Sequence, residues 1–263
     1  MSQSSDPFHQ LLNQSYQLIE SVLNDETVTP AEKVNIALKL LEISRHSSDT
    51  PSIPPSLPSH SQIATGQLLA DYIQIENFLS VDEHQAALEL AFANQDHFFS
   101  SQVLNHAEEH RKSSLLMLKN IPDFYEMMRQ KLLEVRPQVL EKLQMSQFLV
   151  SWLEMQLTAH NHGDYYKIHN DAAPGEDTWN RVLTYVYYFY QEPKGFYGGE
   201  LRLYNTLVQN ENYVIQDHFQ TIEPKNNSIV FFDSRCKHEV MPVICPSQKF
   251  RDSRFTVNGW IHR

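Results

Sequence analysis

The sequence predicts a mainly β domain with flanking helices (α+β), built as an antiparallel barrel or sandwich and preceded by a helical hairpin. Three observations carry this. After Ser146, short runs dense in β-branched and aromatic residues recur, divided by turn signals and by no helical pattern. Helical periodicity is confined to stretches before that point. A Pro/Ser-rich segment, 49–64, separates two short helical patterns in 1–48 from everything that follows. The expected organisation is therefore a hairpin over 1–48, a linker over 49–64 and one large domain over 65–263.

In the hairpin, Phe8, Leu11, Leu12, Tyr16, Ile19, Val22 and Leu23 recur at helical spacing. Asn24-Asp25-Glu26 breaks the pattern, and Thr29-Pro30-Ala31-Glu32 restarts it with a capping box and Pro at the first helical position. Val34, Leu38 and Leu41 extend the apolar stripe. Such a stripe needs cover, from the main domain, from a partner or from a second copy in a homodimer.

The main domain opens with a loose strand pattern over Leu69 to Phe78, and then Ser80 caps a helix through Glu83, Leu88 and Ala91. Asn94 to Lys112 is polar and His-rich, which reads as a loop, and residues 94–115 are a candidate lid. Asp123 to Leu143 reads as one helix interrupted at Pro137. The strand runs follow: Phe148–Leu157, Arg181–Tyr190, Glu200–Tyr204 after Gly198-Gly199, Ser228–Phe232 and Arg254–Trp260.

Charge and cysteine usage narrow the function. The 263 residues carry a formal charge of -11, and Lys and Arg form no local patch, so nucleic acid is not an expected partner. The two cysteines, Cys236 and Cys245, are too few for a disulfide framework and are expected reduced and buried. Met1 to Asp6 is polar and no apolar run approaches the ~20 residues of a membrane span, so neither a secretory signal nor a membrane anchor is expected. The expected setting is cytoplasmic.

Tyr166-Lys167-Ile168-His169-Asn170-Asp171 is the first stretch with chemistry in it. On an extended segment, residues two apart share a side, so His169 and Asp171 can address one ion. Alone, the pair is more often a polar contact at a strand end. His238, after Ser228–Phe232, supplies a second imidazole. Two His and one carboxylate leave positions open on the metal, as in non-haem Fe(II) sites that handle dioxygen. A zinc hydrolase with three protein ligands and a water has the same ligand types. A dianionic co-substrate chelating Fe(II) would bury a second carboxylate that needs a cation. Arg254, at the head of an apolar strand, can present a bidentate fork to it.

Four motifs in this order carry a resemblance: Tyr166-x-x-His169-x-Asp171, Gly198-Gly199-Glu200-Leu201-Arg202-Leu203-Tyr204, His238-Glu239-Val240-Met241-Pro242-Val243 and Arg254-Phe255-Thr256-Val257-Asn258-Gly259-Trp260. Over roughly residues 65 to 263 the chain resembles the 2-oxoglutarate and Fe(II)-dependent dioxygenases, in the branch similar to prolyl 4-hydroxylases. The resemblance implies a double-stranded β-helix (jelly-roll) core. It implies His169, Asp171 and His238 as iron ligands and Arg254 as partner of the 2-oxoglutarate tail, with Lys249 as the alternative because some members use Lys. It implies Tyr166 as a pocket residue and Tyr188 as a hydrogen-bond donor to the co-substrate, strand parity deciding between Tyr188 and Tyr185, Tyr187 or Tyr190.

The implied reaction uses Fe(II), 2-oxoglutarate and O2, with ascorbate as a candidate reductant, and hydroxylates a C–H bond while releasing succinate and CO2. Halogenating relatives lack the carboxylate, so Asp171 points to hydroxylation. A prolyl or other residue of a peptide or protein is the first substrate class, a free amino acid or small metabolite the second. A non-catalytic sensor is the third reading, and the four intact residues argue against it. His160 and His162, on the loop before the motif, are expected in solvent, with contact to substrate as the alternative; Trp260 is expected in the core, Glu239 facing away from His238, and Arg181 and Asp233 either orienting ligands or in ordinary ion pairs.

Overall fold

The structure is a computed structural model that describes residues 66–101, 110–118, 121–173, 178–209 and 212–263. The expected hairpin (1–48) and linker (49–64) lie outside the described residues. Among those described, the chain forms two long helices, α1 (Val81–Ala93) and α2 (Pro122–Lys142), and fifteen strands. The strands before the second helix are β1 (Gly66–Leu68), β2 (Ile73–Glu76), β3 (Phe99–Ser100), β4 (Arg111–Lys112) and β5 (Ser114–Met117). After it come β6 (Leu153–His160), β7 (Tyr165–His169), β8 (Arg181–Phe189), β9 (Tyr197–Gly198) and β10 (Leu201–Gln209). The series closes with β11 (Asn212–Ile222), β12 (Ser228–Asp233), β13 (His238–Val240), β14 (Val243–Ile244) and β15 (Arg254–His262).

Two antiparallel sheets hold most of these strands. One has the order β2-β12-β8-β15-β6-β5-β3; the other has β1-β10-β13-β7-β4, with β11 on the free side of β10. From β6 onward the chain passes repeatedly from one sheet to the other, which is the winding of a double-stranded β-helix. The two sheets face each other across a cavity that both of them line.

Alternation along β6 and β15 explains how that cavity forms. In β6, Leu153, Met155, Leu157 and Ala159 point to one side and join the main core; in β15, Phe255, Val257 and Ile261 do the same. Ala87, Leu88 and Ala91 of α1 and Phe124, Met128, Leu132, Val139 and Leu140 of α2 belong to that core. The apolar sides of these strands are thus their outer sides, covered by helices. The other parity, including His160 of β6 and Arg254, Thr256, Asn258 and Trp260 of β15, turns inward to the cavity.

Ser80 caps α1 through a full capping box: its hydroxyl accepts from the Glu83 N–H, and the Glu83 carboxylate accepts from the Ser80 N–H. The helix at 122–142 runs unbroken through Pro137, contrary to the expected interruption. Buried apolar residues on both sides of Pro137 anchor it, and Gln147 Nε2 donates to the Pro137 carbonyl. The expected strand over 69–78 is realised only as β2, Ile73–Glu76, and Leu69 to Tyr72 carries the chain to it from β1 in the other sheet. The ends of the polar stretch 94–115 are stitched into both sheets: Phe99 pairs with Leu115, and Arg111 pairs with Tyr166. Its middle, 102–109, lies outside the described residues.

Candidate active site

The ends of β7 and β13 meet in register, His238 opposite His169, and so the two imidazoles arrive side by side. Asp171 follows at the turn leaving β7. Its N–H and that of Ala172 both donate to the Ser234 carbonyl, tying this turn to the segment that leads into His238. One ligand atom from each of His169, Asp171 and His238 lies within 4.8 Å of the others. His169 Nε2 is 3.6 Å from one Asp171 oxygen and His238 Nε2 is 3.4 Å from the other.

Backbone carbonyls set the tautomers of both imidazoles. Nδ1 of His169 lies 2.8 Å from the Lys167 carbonyl, and Nδ1 of His238 lies 3.0 Å from the Cys236 carbonyl. A carbonyl only accepts, so each Nδ1 carries the proton and each Nε2 offers a lone pair toward Asp171. Burial, with His238 beside it, lowers the His169 pKa to about 4, so it is neutral and ready to ligate. Burial would raise the Asp171 carboxyl, but in acid, where the neighbouring imidazoles become protonated, His238 and His169 outweigh it and hold the group below the usual carboxylate range. This is the donor set of a facial two-His, one-carboxylate centre, and the residues fit an Fe(II) ion.

Further side chains hold Asp171 in place. Thr184 Oγ1 donates to Asp171 Oδ2 at 2.7 Å and lies 2.9 Å from the Ser234 hydroxyl. Arg181 donates to the Asp171 carbonyl at 3.2 Å and pairs with Glu154. The Arg181 guanidinium also lies 3.6 Å from the centroid of the Trp260 ring. The Trp260 indole N–H makes no hydrogen bond of ordinary geometry, yet it faces the Asp171 carboxylate and helps keep it ionised. Trp260 therefore lines the cavity rather than only packing the core. Asp233 serves differently, in a pair with Arg235 at 2.6 Å.

Arg254 enters the same cavity from the start of β15, 1% exposed. Among the described residues no carboxylate stands within ion-pair distance of it, and its Nε meets no acceptor. Its guanidinium carbon lies 4.9 Å from the centre of the Tyr188 ring. Lys249, the alternative cation, is exposed. An unpaired buried cation is costly, so this one fits the far carboxylate of a dianionic ligand. Gly199 makes room for it: at φ +72, a Cβ there would stand 2.7 Å from Arg254 Cδ.

Parity on β8 separates the tyrosines. Thr184 and Val186 line the cavity, and Tyr188, on the same parity, packs with Leu201 and Phe232 between the sheets. Tyr185 and Tyr187 face the helices, where Tyr185 donates to the Glu154 carbonyl and Tyr187 meets His84 Nδ1. The Tyr188 hydroxyl is buried against Arg254 without a hydrogen bond of ordinary geometry, and burial, opposed in part by Arg254, pushes its pKa up to about 12. Tyr166 lies face to face with His169, ring centroids 3.5 Å apart, and Arg111 covers it with the guanidinium carbon 4.8 Å from its centroid.

Two features differ from the sequence reading. His160, expected in solvent, is 4% exposed and lines the cavity beside Arg254. The buried polar face of β6 is the signal that marks it. Arg111 carries no local signal in the sequence, because its neighbours are polar and its place at Tyr166 depends on a long-range pairing. His162 is exposed, and Glu239 turns away from His238 to meet Tyr204 and Arg202. Both cysteines are buried and unbridged.

A family model of the 2OG-Fe(II) oxygenase superfamily matches residues 155–262, which include all four motifs. An uncharacterized PKHD-type hydroxylase of Synechocystis sp. is 42% identical, covering 96% of this chain and 92% of the relative. The chain belongs to the 2OG-Fe(II) oxygenase superfamily. Solved structures of like fold include a Pseudomonas putida prolyl-4-hydroxylase, with 20% identity, 73% of this chain and 92% of that one covered, and a TM-score of 0.50. A Trichoplax adhaerens prolyl hydroxylase, solved with a hypoxia inducible factor peptide fragment, has 18% identity, 73% and 83% coverage, and a TM-score of 0.51. The oxygenase is thus an enzyme of a family that works with Fe(II), 2-oxoglutarate and dioxygen. Among its described residues no helix is long and apolar enough to cross a membrane.

Proposed function

We propose that this oxygenase hydroxylates an unactivated C–H bond on a prolyl or other residue of a peptide or protein, releasing succinate and CO2. One observation carries the reading. A single cavity joins the His169, Asp171 and His238 donors to a fully buried Arg254 that, among the described residues, has no carboxylate at ion-pair distance. In this reading the three donors hold Fe(II), Arg254 and Tyr188 take the far carboxylate of 2-oxoglutarate, and Tyr166 walls the cofactor site. When bound, iron and 2-oxoglutarate together supply the oxidising power for C–H hydroxylation.

The protein's share of the work is positional. The two backbone-fixed imidazoles present Nε2 lone pairs to one point. Asp171 adds the negative charge, steadied by Thr184 and by Arg181. Arg254 neutralises the co-substrate's tail away from water, and the aromatic walls at Tyr166 and Trp260 exclude solvent from the reacting end. A peptide substrate is supported by the Trichoplax hydroxylase of like fold, which was solved with a peptide fragment. Ascorbate as reductant, a homodimer through residues 1–48 and action in the cytoplasm belong to the same proposal.

The test is a screen of peptides and free amino acids for stimulated 2-oxoglutarate decarboxylation, with mass analysis for one added oxygen. Stimulation and oxygen gain by peptides support the reading. Stimulation by free amino acids or small metabolites alone would replace the peptide class with the second.

A further inference from the structure

We propose that His160 is a third donor to the far carboxylate of the co-substrate, beside Arg254 and Tyr188, and that it selects 2-oxoglutarate over 2-oxo acids lacking that carboxylate. The inference rests on the co-substrate reading above.

The register of β15 on β6 sets His160 directly opposite Arg254, and both side chains turn into the cavity. His160 is 4% exposed and Arg254 1%. Arg254 Nη1 lies 3.4 Å from His160 Nδ1. A guanidinium has donors only, so Nδ1 is the acceptor and carries no proton. Burial first, then the charges of Arg254 and Arg111, push the His160 pKa well below the usual value, so the ring is neutral. A neutral imidazole keeps one N–H, and here it is on Nε2.

That Nε2–H is buried and meets no acceptor. Arg254 Nε likewise meets no acceptor, and the Tyr188 hydroxyl, which lies against the Arg254 guanidinium, finds no acceptor for its own proton. Buried polar groups in native proteins are almost always hydrogen-bonded, so three orphans around one guanidinium call for a shared partner. Two of the three, His160 Nε2 and Arg254 Nε, are donors only in these states, and the third is a hydroxyl that can donate. The partner must therefore accept several hydrogen bonds and bring negative charge. A carboxylate has two oxygens with about four lone-pair sites. A neutral carbonyl has one oxygen and leaves the charge of Arg254 uncompensated.

The experiment is calorimetric titration of the full-length, Mn(II)-loaded protein without oxygen, using 2-oxoglutarate and 2-oxobutyrate as probes. They share the chelating head and differ in the tail carboxylate. The wild type is expected to bind 2-oxoglutarate the more tightly. His160→Phe, which keeps a ring but no donor, is expected to weaken 2-oxoglutarate about 10- to 100-fold, the loss of one hydrogen bond to a charged group, and to leave 2-oxobutyrate unchanged. His160→Gln, whose amide can donate, is expected to recover part of the loss.

If His160→Phe binds 2-oxoglutarate like the wild type, or loses both acids equally, the proposal is overturned and His160 is a packing residue. Should the Phe variant not fold, the Gln variant decides: a preference for 2-oxoglutarate that is reduced but not abolished, with 2-oxobutyrate unchanged, supports the proposal, and an unchanged preference or equal loss of both acids overturns it. A wild type that does not distinguish the two acids overturns the co-substrate reading together with this one. A wild-type preference that His160→Phe leaves intact overturns the role of His160 alone.

Discussion

Replacing Arg254 by Met separates what this side chain costs the fold from what it gives the ligand. Arg254 is 1% exposed, its Nη1 lies 3.4 Å from His160 Nδ1, and its Nε meets no acceptor. Met keeps the length and the apolar contact with the Tyr188 ring and removes the charge. Exchanging buried ionic groups for apolar residues of similar volume is often neutral or stabilising by about 1–4 kcal/mol. Without ligand, Arg254→Met should therefore equal or exceed the wild type in stability, by ~1 kcal/mol at the lower end of that range.

Binding should move the opposite way. Leaving the co-substrate's buried carboxylate unpaired costs about 3–5 kcal/mol, on the order of 10² to 10³-fold or more in affinity. Urea melts of the Mn(II)-loaded protein with and without 2-oxoglutarate read both effects. Ligand at 100 times its Kd should add about 2.7 kcal/mol to the wild type and, at that same concentration, well under 1 kcal/mol to the variant. A variant that is several kcal/mol less stable without ligand, yet gains the full increment with it, would refute the reasoning and make Arg254 a structural residue.

Thr184→Val removes the hydroxyl that donates to Asp171 Oδ2 and should weaken Mn(II) or Fe(II) binding about 10-fold in a metal titration, with a native circular dichroism spectrum. Gly199→Ala places a Cβ 2.7 Å from Arg254 Cδ at φ +72, so it should lower 2-oxoglutarate affinity more than metal affinity, measured by separate titrations. Metal-free protein should lose stability as pH falls from about 6.5 toward 4. Burial holds the folded-state pKa of His169 at about 4 and that of His160 well below its usual value, so only the unfolded chain takes up these protons, at about 1.4 kcal/mol per pH unit per residue. Urea midpoints at several pH values check this, and His160→Phe should flatten the slope.

The donors were legible because covalent spacing alone sets their geometry: on an extended segment His169 and Asp171 must share a side, and a third donor at the head of a later strand can join them. The strands at 181–189, 228–233 and 254–262 were legible from their β-branched and aromatic density. The strand at 212–222 was not, because it borders solvent at the sheet edge and its Gln216-Asp217-His218 centre shows no alternation. The helix at 122–142 was legible, but its continuity through Pro137 was not, because tertiary packing overrides a local breaker. His160 was missed for a related reason. A strand with one apolar and one polar side normally turns the apolar side inward, but here helices cover the apolar side and the polar one faces the cavity. Its pairing with Arg254 spans 94 positions of sequence, which no local pattern reveals.

The central claim is that the donors at His169, Asp171 and His238 support 2-oxoglutarate-driven oxidation. Succinate formation by wild type and Asp171→Ala, with Fe(II), 2-oxoglutarate, oxygen and the best stimulating compound of the screen, tests it most directly. The account predicts succinate matched by one added oxygen in the wild type, and no substrate-dependent succinate in Asp171→Ala. Equal succinate from both proteins would contradict it.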